Sequence, residues 1–424
     1  MGWTEWDAYG LPVTEADFRA NAEVLAGLKQ YGWEYALLDA GWYEQDPTAR
    51  AAATKHYVWD ANGRLIPAAS RFPSAVGGAG FRPLAGWLHA QGLKLGIHVM
   101  LGIPRQAVDA NLPIAGSGFR AADAADTRQT CSWDREFYVV KDNAAGQAWY
   151  DSIARQYADW GVGFIKLGCV SDQPFHPSEI RQMSEAIRRT GRPMVLSLSP
   201  GPPPREYAQF VFRYARMVRF SAEHWDLWAP PPGKDGYPVG LREDFDLFAQ
   251  WEAYVKPGHW IDGDVLPDGW LAPHPPVGEP RHSRLSPNEE RSQFALWAFA
   301  RAPLIEGANL SRLDALTRSL MTNRALIDID QHARESHPLT NLPRGFEHVR
   351  VWEAHMGTPD QPRRCFAFFN LDDAPVTLRA AWTQLGLTPG SHAARDLWTG
   401  RALAPSTGVE VRLPPHGSAV EQVR

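Results

Sequence analysis

The feature that most restricts the fold of this chain is an alternation of short apolar runs with amphipathic stretches over its first three-quarters. Residues 14–31 carry apolar side chains at helical spacing, with Thr14 as a candidate N-cap, and the apolar run YALLDAGW follows at 35–42. The alternation continues to PLIEGANL at 303–310 and gives about eight candidate strands. Near-continuous apolar strands separated by helices are typical of a parallel sheet covered by helices.

Eight such strands predict an α/β fold, a (β/α)8 TIM barrel, over residues 1–335. We disfavour an open doubly wound sheet because no glycine-rich phosphate turn follows the first strand. Past this point the pattern changes to short alternating segments such as VRVWEAH (349–355) and RRCFAFFN (363–370), separated by Pro, Gly and Asp. Residues 336–424 are therefore predicted to form a C-terminal antiparallel β-sandwich.

Charge and hydropathy exclude several classes of partner. The formal net charge of the 424 residues is −5, which gives no basic surface for nucleic acid. No apolar run reaches the roughly 18 residues of a membrane-spanning helix, so we expect no membrane partner. The first residues lack the charged and apolar regions of a signal peptide. A secreted or periplasmic location and a cytoplasmic one both stay open, as does the oligomeric state.

Cysteine and tryptophan usage adds two further expectations. Cys131, Cys169 and Cys365 are too scattered for a zinc site, and no motif indicates a metal or another cofactor. The chain contains 18 Trp, most of which core packing must explain. Tryptophan is also common in pockets where an apolar plate meets the C–H face of a sugar, so a carbohydrate ligand is one interpretation.

Polar side chains concentrate at the predicted carboxyl-terminal ends of the strands, where barrel enzymes hold their active sites. Lys166 is the most informative, because a lysine at the end of an apolar strand is rarely buried without a partner or ligand. Carboxyl groups with aromatic walls suit a glycosidase, which needs two carboxyl groups beside a sugar. The candidate residues are Trp3, Asp39, Trp42, His98, Lys166, Arg219, Glu223, Asp226, Trp260, Asp262 and Asp264.

Several of these residues have a structural alternative. Asp39 could cap a turn, and His98 could be a core histidine. Arg219 and Glu223 could form a plain salt bridge, and the loop 258–264 could bind a metal, although no other ligand cluster supports one.

Several motifs, taken in order, resemble glycoside hydrolase family 27, the family of α-galactosidases and related retaining α-glycosidases. The opening MGWTEWDAYG is similar to the family's Met-Gly-Trp-Asn-Ser-Trp, and YALLDAGW to its Asp-Asp-Gly-Trp strand. GHWIDGDVLPDG resembles its Trp-x-Asp-x-Asp-Met-Leu loop. The resemblance spans nearly the whole chain. It implies a carbohydrate substrate, a barrel with a C-terminal β-sandwich, and a double displacement with two carboxyl groups ~5–5.5 Å apart.

The resemblance also implies roles for single residues. Trp3 matches the ring-stacking Trp, Asp39 an acceptor of sugar hydroxyls, Lys166 the Lys beside the nucleophile, Arg219 the Arg that opens the acid/base segment, and Asp264 a sugar-binding Asp. Cys131 and Cys169 fall near two family cysteines that form a disulfide beside the site, which implies a bridge between them.

Three positions depart from the family pattern. Gly168 stands where the family's Lys-x-Asp motif carries the nucleophile. Glu223 replaces the Asp expected as acid/base, and its carboxyl reaches one methylene further. Ala40 follows Asp39 where galactose-binding members carry a second Asp, so a glucose-configured or pentose sugar stays open.

A glycine cannot form a covalent bond to an anomeric carbon, and this leaves three hypotheses. The chain is an engineered variant of an enzyme that removes a terminal α-linked sugar from an oligo- or polysaccharide. Alternatively, it is an inverting relative in which Asp172, Asp262 or Asp226 holds a water opposite Glu223. The third hypothesis is a carbohydrate-binding barrel without activity.

Overall fold

The computed structural model shows a curled parallel sheet surrounded by helices, followed by an antiparallel domain. It describes residues 1–47, 56–170, 174–233, 236–272, 278–340, 342, 346–358 and 360–424. Within these ranges no helix is both long and apolar enough to span a membrane. The predicted fold class, a (β/α)8 barrel with a C-terminal antiparallel β-sandwich, is confirmed.

Eight parallel strands form the barrel sheet in the spatial order β7-β6-β5-β4-β3-β2-β1-β8. A parallel bridge between Leu266 and Glu306 joins the region after β7 to β8, so the two edges of the sheet come together. The strands are β1 Gly2–Thr4, β2 Tyr35–Leu38, β3 Lys94–Met100, β4 Phe164–Gly168, β5 Val195–Leu198, β6 Met217–Arg219, β7 Trp260–Asp262 and β8 Ile305–Glu306.

Each barrel strand is followed by at least one helix, and the sequence marks many of the helix ends. Asn143 caps the longest helix by accepting a hydrogen bond from the backbone N–H of Gly146, and Gly161 ends that helix with a positive φ of 86°. The helices are α1 Glu15–Gly27, α2 Arg82–Ala90, α3 Ala144–Trp160, α4 Pro177–Thr190, α5 Ala208–Tyr214, α6 Leu241–Trp251, α7 Pro287–Ala300, α8 Ala315–Met321 and α9 Arg324–His332.

Short elements lie in the connections on the cavity side. Trp6–Tyr9 is a one-turn helix directly after β1. The connection between β3 and α3 contains two short helices and a three-stranded antiparallel sheet, and a two-stranded antiparallel ribbon lies between β7 and α7. The two short helices are Arg105–Asp109 and Ala121–Ala124. The three-stranded sheet consists of Ile103–Pro104, Ala125–Thr130 and Phe137–Val140, and the ribbon pairs Trp270–Leu271 with Arg281–His282.

The C-terminal domain contains a six-stranded antiparallel sheet, β9-β10-β11-β16-β13-β14, and a two-stranded one, β12-β15. Apolar side chains from both, including Val351, Phe366, Leu378 and Leu413, share one core, as a sandwich requires. The predicted division at residue 335/336 stays a prediction. The strands are β9 Glu335–Pro338, β10 Val349–Thr358, β11 Gln361–Asn370, β12 Val376–Ala381, β13 His392–Asp396, β14 Ala402–Ser406, β15 Gly408–Leu413 and β16 Ser418–Val423.

Candidate active site

A cavity of about 500 Å³ opens at the carboxyl-terminal ends of the barrel strands. Parallel strands bring all of these ends to the same side of the sheet, which explains why residues distant in sequence meet here. Of the predicted residues, the structure places Asp39, His98, Lys166, Arg219, Glu223 and Asp264 in its lining. Aromatic side chains complete the wall, namely Trp6, Tyr43, Trp133, Trp225 and Tyr237.

Lys166 and Asp39 form a largely buried ion pair in the lining of this cavity. The Lys166 ammonium donates a hydrogen bond of 2.6 Å to Asp39 Oδ2. Burial alone raises the pKa of the Asp39 carboxyl, but the charge of Lys166 and its hydrogen bond outweigh burial and hold that pKa at about 2. Asp39 is therefore a carboxylate at neutral pH, while burial and the Asp39 charge raise the pKa of neighbouring Glu5 to about 8.

Arg219 connects the end of β6 to two carboxylates, Asp262 at the end of β7 and Asp264 just after it. Its guanidinium, only 2% exposed, hydrogen-bonds to Asp264 and, at 3.5 Å, to Asp262. The second Asp264 oxygen accepts a 3.0 Å hydrogen bond from the backbone N–H of His224. Asp264 faces the cavity, whereas Asp262 lies in the strand and lines only a small void beneath it.

Glu223 projects into the cavity from the segment after β6. Its Oε2 accepts hydrogen bonds from the Tyr237 hydroxyl at 2.9 Å and from the Trp225 indole at 3.3 Å. These two donors fix one carboxylate oxygen. The side chain is partly exposed, so it is accessible to a ligand.

Gly168, the last residue of β4, leaves space that a neighbouring side chain fills. A Cβ atom built on Gly168 would lie 2.3 Å from Nε2 of His98, which comes from the adjacent strand β3. His98 is 5% exposed, and its Nδ1 has no hydrogen-bond partner among the described residues. Burial lowers the pKa of the His98 imidazole to about 4, so the ring is uncharged at neutral pH.

Asp7 lines the same cavity and was absent from the predicted site. It is 2% exposed, and its Oδ2 has no partner within the part of the chain that the structure describes. Burial and the charges of Asp264 and Glu223 raise the pKa of Asp7 well above its usual value, which favours the protonated acid. Its position just after the first strand is the sequence signal that would have identified it.

Two predicted tryptophans do not reach the cavity, and the structure corrects them. Trp3 is fully buried, donates a 2.7 Å hydrogen bond to the Ala308 carbonyl and packs against Phe18, so no sugar can stack on it. The ring that lines the cavity belongs to Trp6. Trp42 is also fully buried, and its indole N–H donates a hydrogen bond to the backbone carbonyl of His98.

Trp260 and Asp226 are also displaced from the predicted site. Trp260 begins β7 and therefore lies at the opposite, amino-terminal ends of the strands, beneath the Arg301 guanidinium. Asp226 is buried in ion pairs with Arg281 and Arg284 and does not line the cavity. Asp226 and Asp262 are thus unsuited to hold an attacking water. Asp172, the third residue considered for that role, lies outside the described residues.

The disulfide implied by the family resemblance is present. Cys131 and Cys169 are bonded, with their Cα atoms 6.0 Å apart. Cys169 directly follows Gly168, so the bridge ties the end of β4 to the segment that carries Trp133 and Asp134 into the cavity wall. Among the described residues, no group of three or more His, Cys, Asp or Glu side chains is arranged to hold a metal ion.

Comparison with known proteins gives the same family in both domains. Residues 143–332 match the family Melibiase_2, described as alpha galactosidase A, and residues 348–423 match Melibiase_C, the alpha galactosidase C-terminal beta sandwich domain. An α-galactosidase A from Cellvibrio japonicus is 25% identical over 99% of this chain and 90% of its own length.

Solved structures agree with this assignment. The GH27 β-L-arabinopyranosidase from Geobacillus stearothermophilus is 36% identical, with a TM-score of 0.92 over 100% of this chain and 95% of that one. A variant of the same enzyme in complex with arabinose superimposes with a TM-score of 0.91 at 36% identity, over 100% of this chain and 96% of that one.

Proposed function

Because the chain belongs to glycoside hydrolase family 27, we propose that its cavity binds a terminal pentopyranose and cleaves the glycosidic bond with Glu223 as the acid. The observation that carries this proposal is the convergence of two largely buried ion pairs and one accessible carboxyl group on a single cavity. The ion pairs are Lys166–Asp39 and Arg219–Asp264.

The ion pairs suit the recognition of sugar hydroxyls. A hydroxyl both donates and accepts, so it can donate to Asp39 or Asp264 and accept from Lys166 or Arg219. Hydrogen bonds to charged groups are about twice as strong as those between neutral groups. The Trp6 and Trp133 rings supply apolar surface for the C–H faces of the sugar.

Two observations favour a pentose. Ala40 also lines the cavity but offers no hydroxyl acceptor beside Asp39. The relative from Geobacillus stearothermophilus is a β-L-arabinopyranosidase. β-L-Arabinopyranose has the ring configuration of α-D-galactopyranose but lacks the exocyclic hydroxymethyl group. A site with fewer acceptors at this end therefore fits the pentose better than the hexose.

Glu223 is suited to donate a proton to the leaving oxygen. Tyr237 and Trp225 bind one carboxyl oxygen, which leaves Oε1 to face the glycosidic oxygen. A positioned general acid contributes about 10²–10⁴-fold to a rate. Gly168 has no side chain and so offers no nucleophile, and the covalent intermediate of a double displacement cannot form at this position.

Gly168 also favours a second candidate function, in which the cavity binds the sugar without cleaving it. The recognition groups remain complete in that case, and only the chemical step is lost. The two candidates share the ligand and differ in turnover.

The test compares an aryl β-L-arabinopyranoside with the matching aryl α-D-galactopyranoside, together with calorimetry of L-arabinose binding. We expect turnover of both, with the larger kcat/KM for the pentoside. Arabinose binding without turnover of either compound would favour the second candidate. Neither binding nor turnover would contradict both candidates, and a preference for the galactoside would contradict the pentose assignment.

A further inference from the structure

One carboxyl group in the cavity lining has no partner and no assigned role. Asp7 lies in the one-turn helix Trp6–Tyr9 after β1, and its side chain is only 2% exposed. Within the described part of the chain, no hydrogen bond to this carboxyl group is found, and Oδ2 is buried without a partner. Buried polar groups are normally paired, so an unpaired one at the wall of a cavity indicates a place where a bound ligand completes the hydrogen bonding.

The surrounding backbone holds the Asp7 carboxyl group against the end of β8. The Asp7 carbonyl accepts a 3.0 Å hydrogen bond from the backbone N–H of Ala272. A Cβ atom on Gly307 would lie 2.8 Å from Asp7 Oδ2 and 3.1 Å from Asp7 Cβ, so this glycine leaves the room that Asp7 occupies. The N–H of Gly307 donates to the Leu266 carbonyl and to Glu306 instead of Asp7. Oδ2 therefore packs against the strand end, which leaves Oδ1 as the oxygen that can meet a ligand.

The setting of Asp7 favours its protonated form. Burial is the largest effect and raises the pKa of Asp7, because the charged form loses its hydration. The charges of Asp264, Glu223 and Asp226 raise that pKa further by repulsion. Lys166 acts in the opposite direction, but its ammonium is engaged in the ion pair described above. Asp7 is therefore a neutral carboxylic acid, with one O–H donor and a carbonyl oxygen that can accept.

Asp264 and Asp7 offer complementary groups to one sugar hydroxyl. Asp264, which Arg219 and the backbone N–H of His224 hold in place, is an acceptor for the hydroxyl proton. A hydroxyl that donates to Asp264 still has lone pairs that can accept a second hydrogen bond. Asp7 is suited to donate it, because its acid proton has no competing acceptor among the described residues.

We propose that Asp7 is a substrate-binding residue whose protonated carboxyl group donates a hydrogen bond to a hydroxyl of the bound sugar. This inference rests on the function proposed above and names one more group that recognises the sugar. The same hydroxyl donates to Asp264, so Asp7, the sugar and Asp264 form one chain of hydrogen bonds. An ionised Asp7 has no proton to donate and adds a negative charge beside Asp264.

Calorimetry of L-arabinose binding at pH 7 compares the parent protein with two variants of Asp7. Asp7→Ala removes the donor, and we expect the affinity to fall at least about tenfold. Asp7→Asn has the same size and keeps an N–H donor in place of the O–H, so it should recover most of the affinity that the alanine variant loses. The matched control is Asp246→Asn on α6, whose side chain is 70% exposed, and it should bind as the parent does.

Infrared spectroscopy tests the protonation state directly. The difference spectrum between the parent and Asp7→Asn at pH 7 should contain the carbonyl band of a neutral carboxylic acid. Addition of L-arabinose should shift this band, because the acid then donates to the sugar. Circular dichroism confirms that each variant is folded, and the asparagine variant with the infrared band decides the question even where the alanine variant is unfolded.

The outcomes distinguish this inference from the function on which it rests. Equal affinity in the parent and in folded Asp7→Ala would overturn the role of Asp7 while the sugar site stands. The same holds for an asparagine variant as weak as the alanine variant, and for a carboxylate band in place of the acid band. No binding of arabinose by the parent protein would overturn the proposed function and this inference with it.

Discussion

The two sides of the cavity differ in how completely their polar groups are satisfied. On the side of Glu223, hydrogen bonds from Tyr237 and Trp225 hold the carboxyl group, and Arg219 is bound to Asp264 close by. On the side of Gly168, the chain offers no carboxylate at the expected position, and His98 Nδ1 has no hydrogen-bond partner in the part of the chain that the structure describes.

This difference shows that the proton donor and the attacking group of a displacement reaction place different demands on the protein. A proton donor must be positioned, and hydrogen bonds position it before the substrate arrives. The attacking group can come from the protein or from water. Losing a covalent nucleophile therefore removes one mechanism without removing the site that binds the sugar.

The largest effect on activity is expected from substitution of Glu223, the residue that the hydrogen bonds on its side of the cavity hold in place. Glu223→Gln keeps the size of the side chain but removes the proton, so kcat/KM for a poor leaving group should fall about 10²–10⁴-fold. Steady-state kinetics with aryl pentosides of graded leaving-group pKa measure this. The loss should shrink for the most acidic leaving groups, and an equal loss for all of them would contradict the role of a general acid.

Gly168→Asp tests the opposite side. The new Cβ would lie 2.3 Å from the present position of His98 Nε2, so the imidazole must turn aside. We expect this variant to release the retained anomer, with turnover raised at least about tenfold by covalent catalysis. Mass spectrometry after reaction with a 2-fluoro pentoside measures the covalent adduct.

Gly168→Asn is the matched control for that substitution. It crowds His98 in the same way but supplies no nucleophile, so it should give no adduct. An adduct with the Asn variant, or no adduct with the Asp variant, would show that position 168 does not face the anomeric carbon.

A smaller effect is expected on stability, because His98 titrates differently in the folded and unfolded states. Burial lowers its pKa from 6.5 to about 4, so the unfolded chain binds more protons between these values. The free energy of unfolding should therefore lose about 2–3 kcal/mol through this residue as the pH falls from 7 to about 4.

Urea unfolding at pH 7 and pH 4.5 measures this component as the difference between the parent and His98→Asn. The variant should lose less stability on acidification than the parent does. His332→Asn serves as the control, since its exposed side chain should leave the pH dependence unaltered. An equal loss in the parent and His98→Asn would mean that His98 is charged or solvated in the folded protein.

The smallest effect is expected for Tyr237→Phe, which removes one of the two hydrogen bonds to Glu223. The Tyr237 side chain is 48% exposed and Trp225 remains, so kcat should fall only about two- to fivefold, with KM unchanged. A loss as large as that of Glu223→Gln would indicate that Tyr237 itself transfers the proton.

The sequence predicted the barrel well because its signal is local. Apolar runs alternate with amphipathic stretches, and that pattern depends only on neighbours along the chain. The order Lys166-Leu167-Gly168 was equally informative, since a single strand fixes which residue stands two places after the lysine. Because Lys166 lies near the end of β4, Gly168 must be the last residue of that strand, at the cavity end.

The sequence could not predict which strand-end aromatic faces the cavity. Trp3 and Trp6 both occur in the opening motif, but Trp3 lies within the strand and Trp6 begins the helical turn that follows. Asp226 was misassigned for another reason. Its partners Arg281 and Arg284 are more than 50 residues away and only the folded chain brings them together.

By itself the sequence determined the fold class, the family and the absence of a nucleophilic side chain at position 168, because each depends only on the spacing of neighbouring residues or on the identity of single residues. Only the tertiary structure decided that His98 fills the space beside Gly168 and that Trp6, rather than Trp3, lines the cavity. Those contacts arise when the sheet closes and turns side chains from separate strands toward one cavity, and no local pattern records the direction in which a side chain then points.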